Sequence, residues 1–181
     1  MRKLLICGLL LGLFRNADAQ KYFTRNGEAR FFSKTAAENI EAANKQVLAV
    51  IDASNNQVAF NLLVKGFLFE KQLMQDHFNE EVMESDKYPK ASFTGKITDP
   101  VNLAKDGKYQ VHVSGQLAMH GVSKPVTALA DIEVANGTLK GKSTFNVAYD
   151  DYNIKLPSLL QNSVAKTIQV VITISCNAMN K

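Results

Sequence analysis

The sequence predicts an all-β chain: a single antiparallel barrel of about eight strands, with one helical excursion near residues 70–85. Three observations carry that expectation. Apolar and polar residues alternate with period two along most of the chain, as in sheets wet on one face. Short turn signals, Asn55-Asn56, Asp106-Gly107 and Asn136-Gly137, separate the alternating runs. One stretch alone, inside Phe67 to Gly95, switches to helical spacing, with Leu73, Met74, Phe78 and Val82 on one face. Strands of ~8–10 residues favour closure into a barrel, because closure removes exposed edges.

The elements follow in order. Residues 1–19 read as a cleavable secretory signal. Arg2 and Lys3 precede an apolar run from Leu4 to Phe14, too short for a bilayer span of ~20 residues. Ala17-Asp18-Ala19 supplies a small-x-small cleavage site, so residues 20–181 are expected to form the domain. A periplasmic or secreted location follows. Lipoprotein attachment at Cys7 is disfavoured because the bulky Ile6 precedes it. Without the leader, Cys176 is the sole thiol, on an apolar face, so no internal disulfide contributes stability.

Lys21 to Arg25, Asn26-Gly27 and Glu28 to Thr35 read as a hairpin with a type I′ turn. Ala36 to Ala43 reads as a helical turn or irregular link. Gln46 to Ile51 and Gln57 to Lys65 are strands, the second turning Val58, Phe60, Leu62 and Val64 one way. In the excursion, Glu80, Glu81 and Glu84 fall mainly off the apolar face. Asp86 and Tyr88-Pro89 stop it, since the residue before proline is pushed out of the helical region. Ala91 to Thr98 is a strand with Phe93 and Ile97 on one face.

The clearest strand follows Gly107: Tyr109, Val111, Val113, Gly115, Leu117 and Met119 alternate with polar partners. Val126 to Val134 repeats the pattern through Ala128, Ala130 and Ile132. After Asn136-Gly137, Leu139, Gly141, Ser143, Phe145 and Val147 face inward. A loop over residues 150–165 leads to the last strand, with Ile168, Val170, Ile172, Ile174 and Cys176 on one face. The inward Gly115, Ala128, Ala130, Gly141 and Ser143 are small, which leaves room along the axis. Phe60, Phe93, Phe145 and the helix face are the side chains that would fill it.

Of 181 residues, 46% are hydrophobic and 21% charged, which fits an ordinary globular protein. The net charge is +4, of which the leader holds +2 (Arg2, Lys3 and Arg15 against Asp18), leaving +2. That balance, with no Lys/Arg run, argues against nucleic acid. Catalytic chemistry finds little support. His112 and His120 share a strand face, yet eight residues at ~3.3 Å each hold them about 26 Å apart. His77 has no second histidine at i+4, so all three read as structural or surface groups, with no metal site. The acidic residues Asp76, Glu80, Glu81 and Glu84 read as a solvated helix face. Gly141-Lys142-Ser143 lacks the upstream glycine and the following helix of a phosphate loop. No cofactor motif is present.

Two stretches resemble the YceI-like family of secreted polyisoprenoid- and lipid-binding proteins with a lipocalin-like barrel. The run Gly115-Gln116-Leu117-Ala118-Met119-His120-Gly121-Val122-Ser123-Lys124-Pro125-Val126 is similar to that family's His-Gly-Val-Ser/Thr-Lys-Pro segment almost position for position. Asp86-Lys87-Tyr88-Pro89-Lys90-Ala91-Ser92-Phe93 resembles its Lys-Tyr-Pro step out of the helix. Two departures stand out. Tyr149 occupies a place where many relatives carry arginine, and Asn153 replaces a glycine. The strand after Ile51 also lacks the histidine and serine of other members.

The resemblance implies a barrel whose apolar bore holds an isoprenoid or fatty-acyl chain, with no catalytic residues. The residues expected to line it are Phe60 and Leu62, then Phe93, then Val111, Val113, Leu117 and Met119. Val126 and Ala128 follow, with Phe145, Val147 and Ile172 from the last strands. Met74 and Phe78 are expected to line or gate the helix end. At His120-Gly121 the preferred reading is a sharp turn permitted by glycine, with His120 capping backbone groups. The functional expectation is an exported, non-enzymatic carrier or reservoir, with no stable membrane insertion and with homodimerisation left open. The alternative is a filled barrel that binds a partner through its helix and the 150–165 loop. An enzyme acting on lipid precursors ranks last, for want of an assembled acid, base or nucleophile.

Overall fold

The computed structural model describes residues 20–179. The predicted signal and Cys7 therefore lie outside the described residues. Ten strands and helices follow in order: β1 (Lys21–Lys34), β2 (Asn39–Asp52), β3 (Gln57–Leu63), β4 (Leu68–Phe69), α1 (Gln72–His77), β5 (Lys90–Ile97), β6 (Gly107–Met119), β7 (Val122–Ala135), β8 (Thr138–Ala148) and β9 (Thr167–Ala178). The long strands pair antiparallel in the order β1-β9-β8-β7-β6-β5-β3-β2, and β1 pairs back to β2. Eight strands thus close a barrel, as expected, and the two-residue β4 adds to β2.

β1 differs from the sequence expectation. It is one continuous strand through Asn26-Gly27, with register shifts there against both neighbours. Neither residue takes positive φ, so there is no type I′ turn. Gly27 is required instead by crowding: a Cβ there would lie 3.0 Å from the Val47 carbonyl and 3.1 Å from an Ile174 methyl. The pair marks a bulge, the other use of small residues in strands. The actual hairpin turn lies at residues 35–38, where the Thr35 hydroxyl accepts from the Ala37 and Glu38 amides. Consequently Asn39 to Ala43 belongs to β2 rather than to a helical link.

The other turns match their signals. Asn56 takes φ +59, and Asn136 and Gly137 take +51 and +74. His120 (+50) and Gly121 (+75) form the tight β6–β7 turn. β3 ends at Leu63, two residues short of the expected Lys65, where the buried Asn44 clips the following segment. Its Nδ2 donates to the Leu63 carbonyl at 2.8 Å, and its Oδ1 accepts from the Gln46 amide at 2.8 Å.

The helical excursion is shorter than its apolar spacing suggests. After α1 the chain widens over Phe78–Val82, and the Met83 amide bonds back five residues to Phe78 at 2.8 Å. Met74, Phe78 and Val82 turn inward, and Leu73, although 67% exposed, borders the space beneath the excursion with them.

One end of the barrel is solid. Tyr22, Ala49, Ile51, Val58, Ile97, Val111, Ile132, Val134, Leu139 and Cys176 pack there, with Leu103 of the β5–β6 connection as a plug. Leu103 and Tyr22 are both fully buried, and the Tyr22 hydroxyl donates to the Leu103 carbonyl at 2.9 Å. Burial pushes the Cys176 thiol up to about 12 from its ordinary 9.0. The folded value is raised, so this group favours folding below pH ~9 and loses that contribution as pH rises toward 12. In the native protein at pH 8, Cys176 is expected to stay unreactive toward Ellman's reagent and to react at once in guanidinium chloride. Rapid native labelling would contradict its place in the core.

Candidate functional site: an apolar bore with a covered mouth

Away from the plug the axis is hollow. A chamber of about 140 Å³ lies beside the solid core, bounded by Phe60, Phe93, Val113, Val126, Ala128, Ala130, Gly141 and Ser143. A larger chamber of about 520 Å³ lies under the helical excursion. Leu62, Ala91, Leu117, Phe145 and Ile172 border both, so the two chambers adjoin and together make up the bore. The larger chamber falls in the range of ~300–1,000 Å³ usual for ligand pockets. The contest between a filled and a hollow barrel therefore resolves by position: filled at the Tyr22–Leu103 end, empty toward the helix.

Inward alternation places most of the expected residues on this wall. Phe60, Leu62, Phe93, Val113, Leu117, Val126, Ala128, Phe145 and Ile172 line the deeper chamber. Met74, Phe78, Met119 and Val147 line the outer one. Val111 does not border the bore; it is 2% exposed within the solid core, one step too close to the plug. Among the small inward residues, Ala128, Gly141 and Ser143 do create space. Gly115 does not. It stands opposite Gly95, and a Cβ on it would meet the Thr94 carbonyl at 2.4 Å. A side chain at Gly115 would disrupt the β5–β6 pairing, so substitution there reports on the sheet and not on the cavity.

Other wall residues were not foreseen. Phe31, Phe67 and Phe69 join Phe78 in an aromatic cluster, with ring centroids 5.0 Å (Phe69–Phe78) to 5.8 Å (Phe67–Phe78) apart. Phe31 was hidden by the misplaced hairpin, although its alternation with Ser33 carried the signal. Ile154, Leu156, Leu159, Leu160 and Val164 cover the mouth from the 150–165 segment. That segment is pinned by the Ala165 amide, which donates to the buried Ser33 hydroxyl at 2.8 Å. On the opposite side Lys71 pairs with Glu38 at 3.3 Å, tying the start of α1 to the β1–β2 turn.

The barrel wall also has a slot. β7 and β8 pair only from Ala130↔Ser143 to Ala135↔Thr138, and beyond that point the strands part. Val126, Ala128 and Phe145 stand beside the parting. The Ser143 hydroxyl donates to the Leu129 carbonyl at 2.7 Å where it begins. The turn over Tyr149–Tyr152 packs against both strands. Asn153 takes φ +55 there, a left-handed conformation asparagine tolerates well, so it holds the turn without glycine.

Each histidine ring is held by an oxygen partner through Nδ1. His112 is exposed, and its Nδ1 lies 3.0 Å from Asp99. The His112 amide, donating to the same carboxylate, holds Asp99 below the usual range. His77 pairs with Glu81 at 3.0 Å. His120 is buried and its Nδ1–H donates to the Tyr152 carbonyl at 3.0 Å, which is the backbone cap expected of it. Asp76, Glu80, Glu81 and Glu84 are exposed.

These features define a closed, lipocalin-like antiparallel barrel with an apolar cavity at its covered end. A YceI-like domain model matches residues 19–176, and the chain belongs to that family. Solved structures agree in fold. A polyisoprenoid binding domain from Saccharophagus degradans has 13% identity and a TM-score of 0.75, covering 89% of this chain and 99% of that one. BcnA of Burkholderia cenocepacia has 18% identity and a TM-score of 0.68, covering 82% and 95%. A YceI protein of Campylobacter jejuni has 14% identity and a TM-score of 0.60, covering 99% and 100%. No curated protein sequence matches the chain.

Proposed function

We propose that the protein is an exported, non-enzymatic carrier or reservoir that holds an isoprenoid or fatty-acyl chain in its bore. One observation carries this reading: two adjoining apolar chambers with shared wall residues extend from the aromatic cluster under α1 to Ala128, Gly141 and Ser143. Each methylene buried there contributes ~0.8 kcal/mol, before the cost of ordering the chain. Affinity therefore needs no polar contact, and the length of the bore sets selectivity. The polyisoprenoid-binding relative supports the ligand class, and the signal-like leader supports export.

Organic extraction of the purified protein followed by mass spectrometry is expected to release a long-chain amphiphile in roughly stoichiometric amount. Stripped protein is expected to rebind added polyprenol. If extracts are empty and added polyprenols do not bind, the carrier reading fails.

A further inference from the structure

Outside the bore lies a polar pocket of about 400 Å³, bordered by Glu81, Glu84, Tyr88, His120, Asn153 and Lys155. Three of these residues hold left-handed backbone conformations: Glu84 at φ +42, His120 at +50 and Asn153 at +55. Histidine and asparagine are enriched in that region, which leaves Glu84 as the unusual one. Together the three bring the end of the helical excursion, the β6–β7 turn and the Tyr149–Tyr152 turn to one point.

The His120 ring has an unmet demand there. The residue is only 8% exposed, and Nδ1–H is committed to the Tyr152 carbonyl. Nε2 is buried and makes no hydrogen bond. The group facing it is a carboxylate acceptor, Glu84 Oε2, at 3.3 Å. That spacing calls for a positive centre between the two atoms, whether a proton or a bound cation. Lys87 does not supply it: its ammonium stays 3.8 Å from the same carboxylate oxygen and lies over the Tyr88 ring.

We propose that His120 Nε2 and Glu84 Oε2 form an open, two-donor site for a divalent transition-metal ion of the zinc type. The spacing fits. Donors at ~2.1 Å from a common ion and 3.3 Å apart subtend roughly 100–105°, between octahedral and tetrahedral angles. The Nδ1–H···O=C bond is the outer contact that metal-bound histidines usually make, fixing tautomer and ring plane. Imidazole with carboxylate suits zinc, nickel or copper better than calcium or magnesium. Among the described residues no three His, Cys, Asp or Glu side chains converge as a metal site, so water completes the coordination and the ion exchanges. The chain contains its own controls, since His77–Glu81 and His112–Asp99 are also histidine–carboxylate pairs, but exposed and already bonded at Nδ1.

The test is calorimetric titration of untagged, chelator-stripped protein with Zn²⁺. One site is expected. Glu84→Gln and His120→Asn, the latter tolerant of positive φ, should each weaken it at least tenfold, while His77→Asn and His112→Asn leave it unchanged. Imidazole NMR of the unaltered protein keeps the test independent of how the variants fold: Zn²⁺ should move the His120 signals before those of His77 or His112. The proposal is overturned if no single site titrates, if binding survives His120→Asn in a folded variant, or if His120 carries two protons and ignores the ion.

Discussion

Ala91→Trp is expected to lower affinity for long-chain polyprenols more than tenfold while leaving the barrel folded. Ala91 borders both chambers, opposite Leu62 on β3, at the waist where they join. An indole there projects into empty space, so the usual cost of overpacking, ~1–3 kcal/mol, should be mostly avoided. It severs the deep chamber from the outer one. A chain that must thread both loses every methylene beyond the waist, at ~0.8 kcal/mol each, and two already exceed a tenfold change. Short amphiphiles that need only the outer chamber should bind nearly as before. A fluorescent-lipid displacement series across chain lengths, with melting as the fold control, checks this. Equal loss for short and long chains, or none for either, would place the ligand elsewhere.

The second large effect is at the opposite end. Leu103→Ala should lower stability by ~3 kcal/mol, within the usual ~2–5 kcal/mol for a buried leucine. For a chain of this size that corresponds to a fall in Tm of roughly 6–12 °C. Leu103 is wholly buried as the plug, and its carbonyl receives the Tyr22 hydroxyl, so little around it can relax into the void. Because the plug and the bore are separate parts of one barrel, long-chain binding at temperatures below the transition should persist. Thermal unfolding followed by circular dichroism decides the matter. A shift under 2 °C would mean that the β5–β6 connection does not seal the barrel.

Sequence periodicity revealed some parts of this molecule and not others, for identifiable reasons. β6 to β9 were readable because each has one face in water and one on the axis, so a polar residue marks every second position. β1 was misread because Asn-Gly is compatible with both a type I′ turn and a bulge. What selects the bulge is the crowding of Gly27 by Val47 and Ile174, which are distant in sequence. The strand-borne wall of the bore followed from alternation, apart from Val111, since alternation gives the direction of a side chain and not its depth. The roof did not follow. Leu156, Leu159, Leu160 and Val164 lie in a segment with no period. The β7–β8 slot left no trace at all, because backbone pairing that stops midway does not disturb the side-chain pattern on either strand. Gly115 looked like room in the bore, yet it serves the close approach of two strands.

A crystal structure of the protein grown with a polyprenol tests the bore most directly. The expected density is a continuous tube from Met74 and Phe78, past Leu117 and Phe145, ending against Ala128 and Ser143, with Tyr22 and Leu103 unmoved. Density confined to the outer surface, with Phe31, Phe78 and Phe145 collapsed into the space, would contradict it.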